Sequence, residues 1–237
     1  MSLVIRENVA EHLRELKAWL EETEEVRLEE MGEFFARRLS DYEEHMQTWT
    51  RAYERFAELL PGECREILDL GCGTGLELDE IWKKNPEIAV TGVDLCGEML
   101  ERLQEKHGDK QLVTVCADYF CYDMGEERWD GVISFESLHH FLPEKKVDLY
   151  RKIYAALKYG GYFVLGDYIA CCDEEERMLQ EVCMRKRRRE GIPAEQFVHF
   201  DIPLTLEKEM NLLRAAGFSG AETVESLDGA TILVLKK

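Results

Sequence analysis

The sequence predicts a doubly wound α/β protein whose mostly parallel, seven-stranded sheet ends in an antiparallel C-terminal hairpin. Beyond Pro61-Gly62, short apolar runs alternate with helical segments of about 10–15 residues, the signature of repeated βαβ units. Those runs are rich in Val, Ile and Leu without polar alternation, as strands buried on both faces require. The first run passes directly into a turn with three alternating glycines, Gly71-Cys72-Gly73-Thr74-Gly75, and then into a helix.

Residues 1–60 precede this pattern and form a helical cap. Leu13, Leu16 and Leu20, and later Phe34, Phe35 and Leu39, recur at helical spacing, which predicts two or three amphipathic helices. The charges from Glu21 to Glu30 read as a solvated helix face. Residues 61–237 form the main domain. REILDL is its first strand and LELDEIWKKN its first helix. AVTGVDL is the second strand, followed by the helix GEMLERLQEKHG, and QLVTVCADY is the third. WDGVISFESL, the helix EKKVDLYRKIYAALKYGG and the strand YFVLGDY complete the parallel series.

Residues 168–204 interrupt the alternation and read as a lid. They hold a charged helix from about Asp173 to Arg189 and a loop with Pro193 and Pro203. TLEKEMNLLRAAGF is a helix that Gly217 terminates. AETVES and ATILVLK are separated by little more than Leu227 to Gly229, so they pair as an antiparallel hairpin at the sheet edge.

Composition sets outer limits. The chain has 237 residues, 45% of them hydrophobic, enough for one full α/β domain with a smaller appendage. No stretch approaches the ~20 apolar residues of a membrane span. The start, MSLVIRENVAEHLREL, lacks a basic region followed by an apolar run. The expected location is the cytoplasm, without membrane association, as a monomer or homodimer. A net charge of −19 repels phosphate backbones and argues against nucleic acid as a partner. The eight cysteines include no CxxC pair and no zinc-site spacing, so free thiols and no metal are expected. Cys171 and Cys172 are adjacent, where a disulfide would be strained.

The glycine turn carries the chemistry. Glycines there permit unusual backbone angles and close approach of a ligand, and the following helix offers unpaired N–H groups. Asp94 follows Gly75 by 19 residues, at the tip of the second strand, where an acid can bond both hydroxyls of a ribose. The pair indicates an adenosine-containing cofactor. A dinucleotide fingerprint would need a third glycine where Leu76 stands, and an acid, Asp69, precedes the loop.

ILDLGCGTG resembles motif I of the class I S-adenosylmethionine-dependent methyltransferases. VDLCGEML resembles their second-strand motif, and ADYF the segment after the third strand that holds the adenine. WDGVISFESLHHF and LKYGGYFVLGDY resemble their fourth- and fifth-strand motifs. The resemblance covers residues 64–168. It implies a Rossmann-like fold, S-adenosyl-L-methionine as cofactor, and a cofactor site built from Asp69, Gly71, Cys72, Gly73, Gly75, Asp94, Leu95, Asp118, Tyr119 and Phe135. Tyr42, His45, Met46 and Trp49 form one helical stripe. Similar family members close an N-terminal aromatic helix over the methionine end, which assigns Tyr42 and Trp49 to the cofactor.

Methyl transfer needs in-line placement of a nucleophile, and a base only where the acceptor must lose a proton. Glu136, Ser137, His139 and His140 follow the fourth strand, and Asp167 and Tyr168 the fifth. Glu136, His139 and His140 are the catalytic candidates. Neighbours on a helix diverge by ~100°, so one histidine rather than both is expected to face the donor, and such neighbours chelate a metal poorly. The Asn/Asp-Pro-Pro-Tyr string with which the family methylates bases and glutamine amides is absent, which counts against those substrates, and the acidic surface and lidded pocket favour a small-molecule acceptor. The run Arg185-Lys186-Arg187-Arg188-Arg189 is either an anion site or a helix face balanced by Asp173 to Glu176. Other readings are a carboxy-S-adenosylmethionine synthase, whose C-terminal helix region FDIPLTLEKEMNLLRAAGF resembles, a non-catalytic S-adenosylmethionine-binding protein, and a nicotinamide-dependent oxidoreductase.

Overall fold

The computed structural model describes residues 3–227 and 229–237. Asp228, inside the expected hairpin turn, lies outside the described residues. Three helices come first, α1 (Val9–Glu22), α2 (Met31–His45) and α3 (Thr50–Leu59), with the two-residue strand β1 (Glu29–Glu30) between α1 and α2. The alternating series follows as β2 (Glu66–Leu70), α4 (Leu76–Lys84), β3 (Ala89–Asp94), α5 (Gly97–His107), β4 (Leu112–Cys116), β5 (Trp129–Phe135), α6 (Pro143–Ala156) and β6 (Leu157–Tyr168). The last elements are α7 (Asp173–Glu190), β7 (Val198–His199), α8 (Leu206–Ala216), β8 (Ala221–Leu227) and β9 (Ala230–Lys236).

The seven-stranded sheet runs β4-β3-β2-β5-β6-β9-β8, with β9 antiparallel to both β6 and β8. The expected sheet and hairpin are therefore present. Strand order reverses between β2 and β5: from β2 the chain winds outward to β3 and β4, then returns to add β5 and β6 on the other side. Such a switch point leaves a crevice outside the C-terminal ends of the two central strands, and ligands of doubly wound folds bind there.

Each sheet face is buried under helices. Leu68, Leu70, Val132, Phe163 and Leu165 pack with Leu149, Tyr150 and Ile153 of α6 and Leu213 of α8. On the opposite face Ile67, Ile133, Val164 and Val234 meet Phe56 of α3 and Leu78 and Ile81 of α4. A third cluster joins Leu20 of α1 to Leu179, Val182 and Cys183 of α7 and to Phe200 and Ile202. The chain before the sheet and the segment after β6 thus share one small core. They also share a short antiparallel ladder, Glu29 with His199 and Glu30 with Val198, which the sequence pattern did not announce.

Two boundaries differ from the sequence reading. The sixth helix ends at Ala156 rather than Gly161, and Leu157 already pairs with Trp129. Gly160 takes φ +81, which lets the strand turn through a bulge before Tyr162. His139 and His140 stand on a single 3-10 turn, Leu138–His140, not on an α-helix.

A buried ion pair joins α6 to α8. Lys146 Nζ donates to Glu209 Oε2 at 2.5 Å, the Tyr150 hydroxyl donates to Glu209 Oε1, and Lys146 and Glu209 are 1% and 0% exposed. Removing one partner strands a charge where water cannot reach it. Glu209→Ala should lower the unfolding free energy by about 3–5 kcal/mol. Urea denaturation checks this; a loss under about 1 kcal/mol would mean the ammonium finds other solvation.

Candidate active site

The loop after β2 is built from the backbone outward. Gly71 (φ +77), Gly73 (φ +48) and Gly75 (φ +74) all occupy left-handed conformations. Gly71 N–H donates to the Val93 carbonyl, and Gly75 N–H to that of Cys72. A Cβ on Gly71 would stand 2.1 Å from Ser137 Oγ, so the loops after β2 and β5 touch at this point. At Gly73 the nearest atom is Tyr42 Oη, 3.4 Å from a Cβ.

Asp94 ends β3 beside this loop. Its Oδ2 accepts from Gly73 N–H at 2.9 Å and its Oδ1 from Cys96 N–H at 2.8 Å. Burial raises its pKa above the usual aspartate value, and the two amides partly oppose that. Both oxygens keep a further lone pair for a ligand.

A cleft of about 590 Å³ opens at the switch point. Gly71, Gly73, Asp94, Leu95 and Met99 line one side, and Tyr119, Phe135, Glu136, Ser137 and His140 the other. Met31, Phe35 and Tyr42 of α2 cover it. A wider cavity continues from it, sharing Phe35, Tyr42, Glu136 and His140. Its walls include Trp19, Arg38, Trp49, His139, Tyr168, His199 and Asp201. The Trp49 indole N–H is buried there without a hydrogen-bond partner among the described residues.

A polar cluster lies where the two spaces meet. His139 Nδ1 is 2.7 Å from Asp167 Oδ1 and 3.8 Å from Glu136 Oε2, and its Nε2 is 3.5 Å from Asp201 Oδ1. His140 Nδ1 is 3.3 Å from the same Asp201 oxygen. Burial works against a charged His139, yet Asp167 and Asp201 hold its pKa well above the ordinary value. Burial pushes Glu136 up to about 8, with His139 opposing. Glu136 has φ +48, uncommon outside glycine, and its Oε1 is buried without a hydrogen-bond partner among the described residues.

Residues 67–161 match the family described as methyltransferase domain. A relative from Campylobacter curvus, named carboxy-S-adenosyl-L-methionine synthase, is 26% identical over 185 residues, which cover 72% of this chain and 76% of that protein. These matches and the sheet order are consistent with the class I S-adenosylmethionine-dependent methyltransferases. Among solved structures, a 1,6-didemethyltoxoflavin-N1-methyltransferase from Burkholderia thailandensis superposes with a TM-score of 0.59 at 21% identity, over 86% of this chain and 87% of that one. A longer protein from Nostoc punctiforme matches 86% of this chain with a TM-score of 0.64 at 22% identity, and this chain spans 59% of its length.

The methyltransferase sheet brings most of the expected residues together. Tyr42, Gly71, Gly73, Asp94, Leu95, Tyr119, Phe135, Glu136 and His140 share the first cleft, and Trp49 and His139 line its extension. Asp69, Cys72, Gly75 and Asp118 line neither space. Asp69 is fully buried beneath the loop against Glu77, and burial holds its carboxyl well above the usual range and pushes Glu77 to about 7. Cys72 packs against Gly92, and Gly75 against Leu103. Asp118 accepts the Phe120 N–H in its own turn at 2.8 Å.

Of the two adjacent histidines, His140 lines the cofactor cleft and His139 only its extension. A 3-10 turn and tight packing bring their ring centroids to 4.0 Å, and both reach Asp201. His199 and Asp201 were not singled out in the sequence, although two polar residues alternating with apolar ones in VHFDI were a visible signal. The basic run is a clamp rather than a face balanced by Asp173 to Glu176. Arg185 grips Glu24 at 3.0 and 2.6 Å, and Lys186 donates to the Thr23 and Val26 carbonyls. Cys171 and Cys172 are free thiols with sulfurs 4.0 Å apart.

The glycine loop separates two effects of substitution. Gly71→Ala combines a left-handed backbone with a clash against Ser137, and should cost more than about 3 kcal/mol. Gly73→Ala meets ordinary contact and should cost about 1–2 kcal/mol. Thermal unfolding of both variants tests the order; equal losses would show that the two loops do not depend on their contact.

Proposed function

We propose that this methyltransferase transfers the methyl group of S-adenosyl-L-methionine to a small-molecule acceptor seated in the wider cavity. The observation that carries the reading is Asp94, anchored by two backbone amides at the rim of a cleft whose opposite wall is the loop after β5. The residues present fit the cofactor. Asp94 has spare lone pairs for two ribose hydroxyls, Gly73 leaves the backbone open to close approach, and Tyr119 and Phe135 offer flat apolar surface. Asp69 and Gly75 serve the loop from below, and Asp118 sets the turn that presents Tyr119.

The bound cofactor supplies a methyl group on a cationic sulfur that leaves as a neutral thioether. The chain holds the acceptor's nucleophilic atom in line behind that methyl group and excludes water. Phe35 and Tyr42 separate the two spaces, and α1, α2 and the segment around His199 roof the acceptor side. Glu136, His139 and His140 face the acceptor. Their cluster takes the proton that an acceptor hydroxyl or amine gives up as its lone pair forms the new bond to carbon.

The roof over the cavity supports a small acceptor over a polymer, and the chain's charge opposes nucleic acid. Among the described residues no helix is long and apolar enough to cross a membrane. A second reading is favoured by the synthase-named relative, in which the donor itself is remodelled. Mass spectrometry of the donor pool after incubation separates the two. Demethylated donor appearing with a methylated metabolite supports the first reading, and a carboxylated donor the second.

Asp94→Ala should weaken S-adenosylmethionine binding by at least about tenfold, since hydrogen bonds to a charged group are worth roughly 1.5–3 kcal/mol. Its fold should be retained. Wild-type affinity should fall as pH drops through the Asp94 pKa, because the protonated carboxyl loses acceptor strength. Burial raises that pKa, so the loss begins at a higher pH than for an exposed aspartate. Calorimetry at several pH values measures both, and unchanged affinity in the variant would remove the cofactor assignment.

A further inference from the structure

We propose that His139, His140 and Asp201 hold a divalent transition-metal ion on the wall of the acceptor cavity. One ring nitrogen of each histidine and one Asp201 oxygen lie within 4.8 Å of one another. His139 Nδ1 bonds Asp167 at 2.7 Å, which places the ring hydrogen on that nitrogen. The lone pair of a neutral ring then sits on Nε2, which is 3.5 Å from Asp201 Oδ1. A metal ion between them would take the place of the proton that Asp167 and Asp201 otherwise hold on this ring. His140 Nδ1 approaches the same oxygen at 3.3 Å, so the cation has two nitrogen donors and one carboxylate.

The spacing suits a metal. Ligands bound at about 2.0–2.2 Å with tetrahedral or octahedral angles stand roughly 2.8–3.6 Å apart, and 3.3 and 3.5 Å fall inside that range. Asp167 behind His139 is the carboxylate partner that orients a ligating imidazole. Carboxyl groups crowd the surroundings. Glu136 Oε1 and Asp167 Oδ2 are buried without hydrogen-bond partners among the described residues. Lys146, 4.0 Å from Asp167, is committed to Glu209 at 2.5 Å. Two imidazoles with one carboxylate select zinc, cobalt, iron or nickel over magnesium or calcium. Entry of the ion displaces the proton His140 Nδ1 shares with Asp201 and the Phe200 carbonyl.

The remaining coordination positions face the cavity, where an acceptor oxygen would bind. This step rests on the proposed seat of the acceptor. An alcohol or phenol on the ion would become more acidic; its O–H bond breaks with the electron pair kept on oxygen, and the proton passes to water on the open side of the cavity. The acceptor class is thus an oxygen nucleophile.

The test uses the full chain stripped by a chelator, titrated with Co²⁺ by visible absorption and with Zn²⁺ by calorimetry. One ion per chain is expected. Asp201→Asn, at a position where the side chain is 42% exposed, and His139→Gln should each weaken binding by about 10–100-fold. Their S-adenosylhomocysteine affinity should stay at the wild-type level. No stoichiometric binding, or binding that neither variant weakens, overturns the site; the cluster then holds a proton. Loss of the ion in Cys171→Ser but not in Asp201→Asn places it instead at His12, Cys171 and Glu175, and also overturns the proposal. The methyltransferase reading fails separately, through absent S-adenosylhomocysteine binding in the wild type.

Discussion

The contact between Gly71 and Ser137 is the constraint on which the site depends. The two residues belong to loops after β2 and β5, the strands that flank the reversal of sheet order. Only a residue without a Cβ lets the first loop come so near the second. That approach fixes where the glycine loop points and where Glu136 and the histidine turn begin. Ser137 Oγ in turn meets the Tyr119 hydroxyl at 3.1 Å, which ties in the loop after β4. Three strand ends therefore share one crevice, and the positions of cofactor rim and acceptor wall are linked through backbone rather than through long flexible side chains.

Burying acids is expensive, and each buried acid here is answered differently. Asp94 is held by two amides and Glu209 by Lys146 and Tyr150, while Asp69, whose oxygens meet no hydrogen-bond partner among the described residues, has its carboxyl held well above the usual range by burial beside Glu77. Asp167 and Glu136 share His139, with Lys146 4.0 Å from Asp167, and each keeps one oxygen without a hydrogen-bond partner among the described residues. A structural network would satisfy these atoms within the fold. Leaving them open beside a cavity is the mark of groups whose partner arrives with the ligand.

Much of the fold was legible because buried strands and the glycine turn leave patterns that one sequence carries. ILDLGCGTG and the acid of VDL located the cleft, and the alternation after Pro61 gave the sheet. Less legible was anything set by contacts distant along the chain. The turn holding His139 and His140 was read with α-helical geometry, because Leu138–His140 is too short for periodicity to show. Asp201 meets those histidines only because the segment after α7 folds back, with Ile202 N–H donating to the His139 carbonyl at 2.9 Å. Asp69 and Cys72 look like ligand residues in the motif, yet the alternation of the strand turns them into the core beneath the loop.

The cap and the segment after β6 act as one roof for reasons of charge as well as packing. On a chain with net charge −19, α7 concentrates its cations in its last turns, where the helix dipole favours them. There Arg185 and Arg189 meet Glu24, and Lys186 reaches the carbonyls at the end of α1. At the other end of α7, Glu175 accepts from Cys171 N–H at 2.5 Å and lies 2.6 Å from His12 Nε2. Helix α1 is thus pinned to α7 near both ends, with Leu20, Leu179 and Val182 buried between. The exposed ion pairs alone would hold little. Combined with that apolar seam and with the ladder of β1 on β7, they make α1 and α7 move together if either moves. A displacement of α1 away from the acceptor cavity would therefore break its contacts with α7 near both ends together with the buried seam between them.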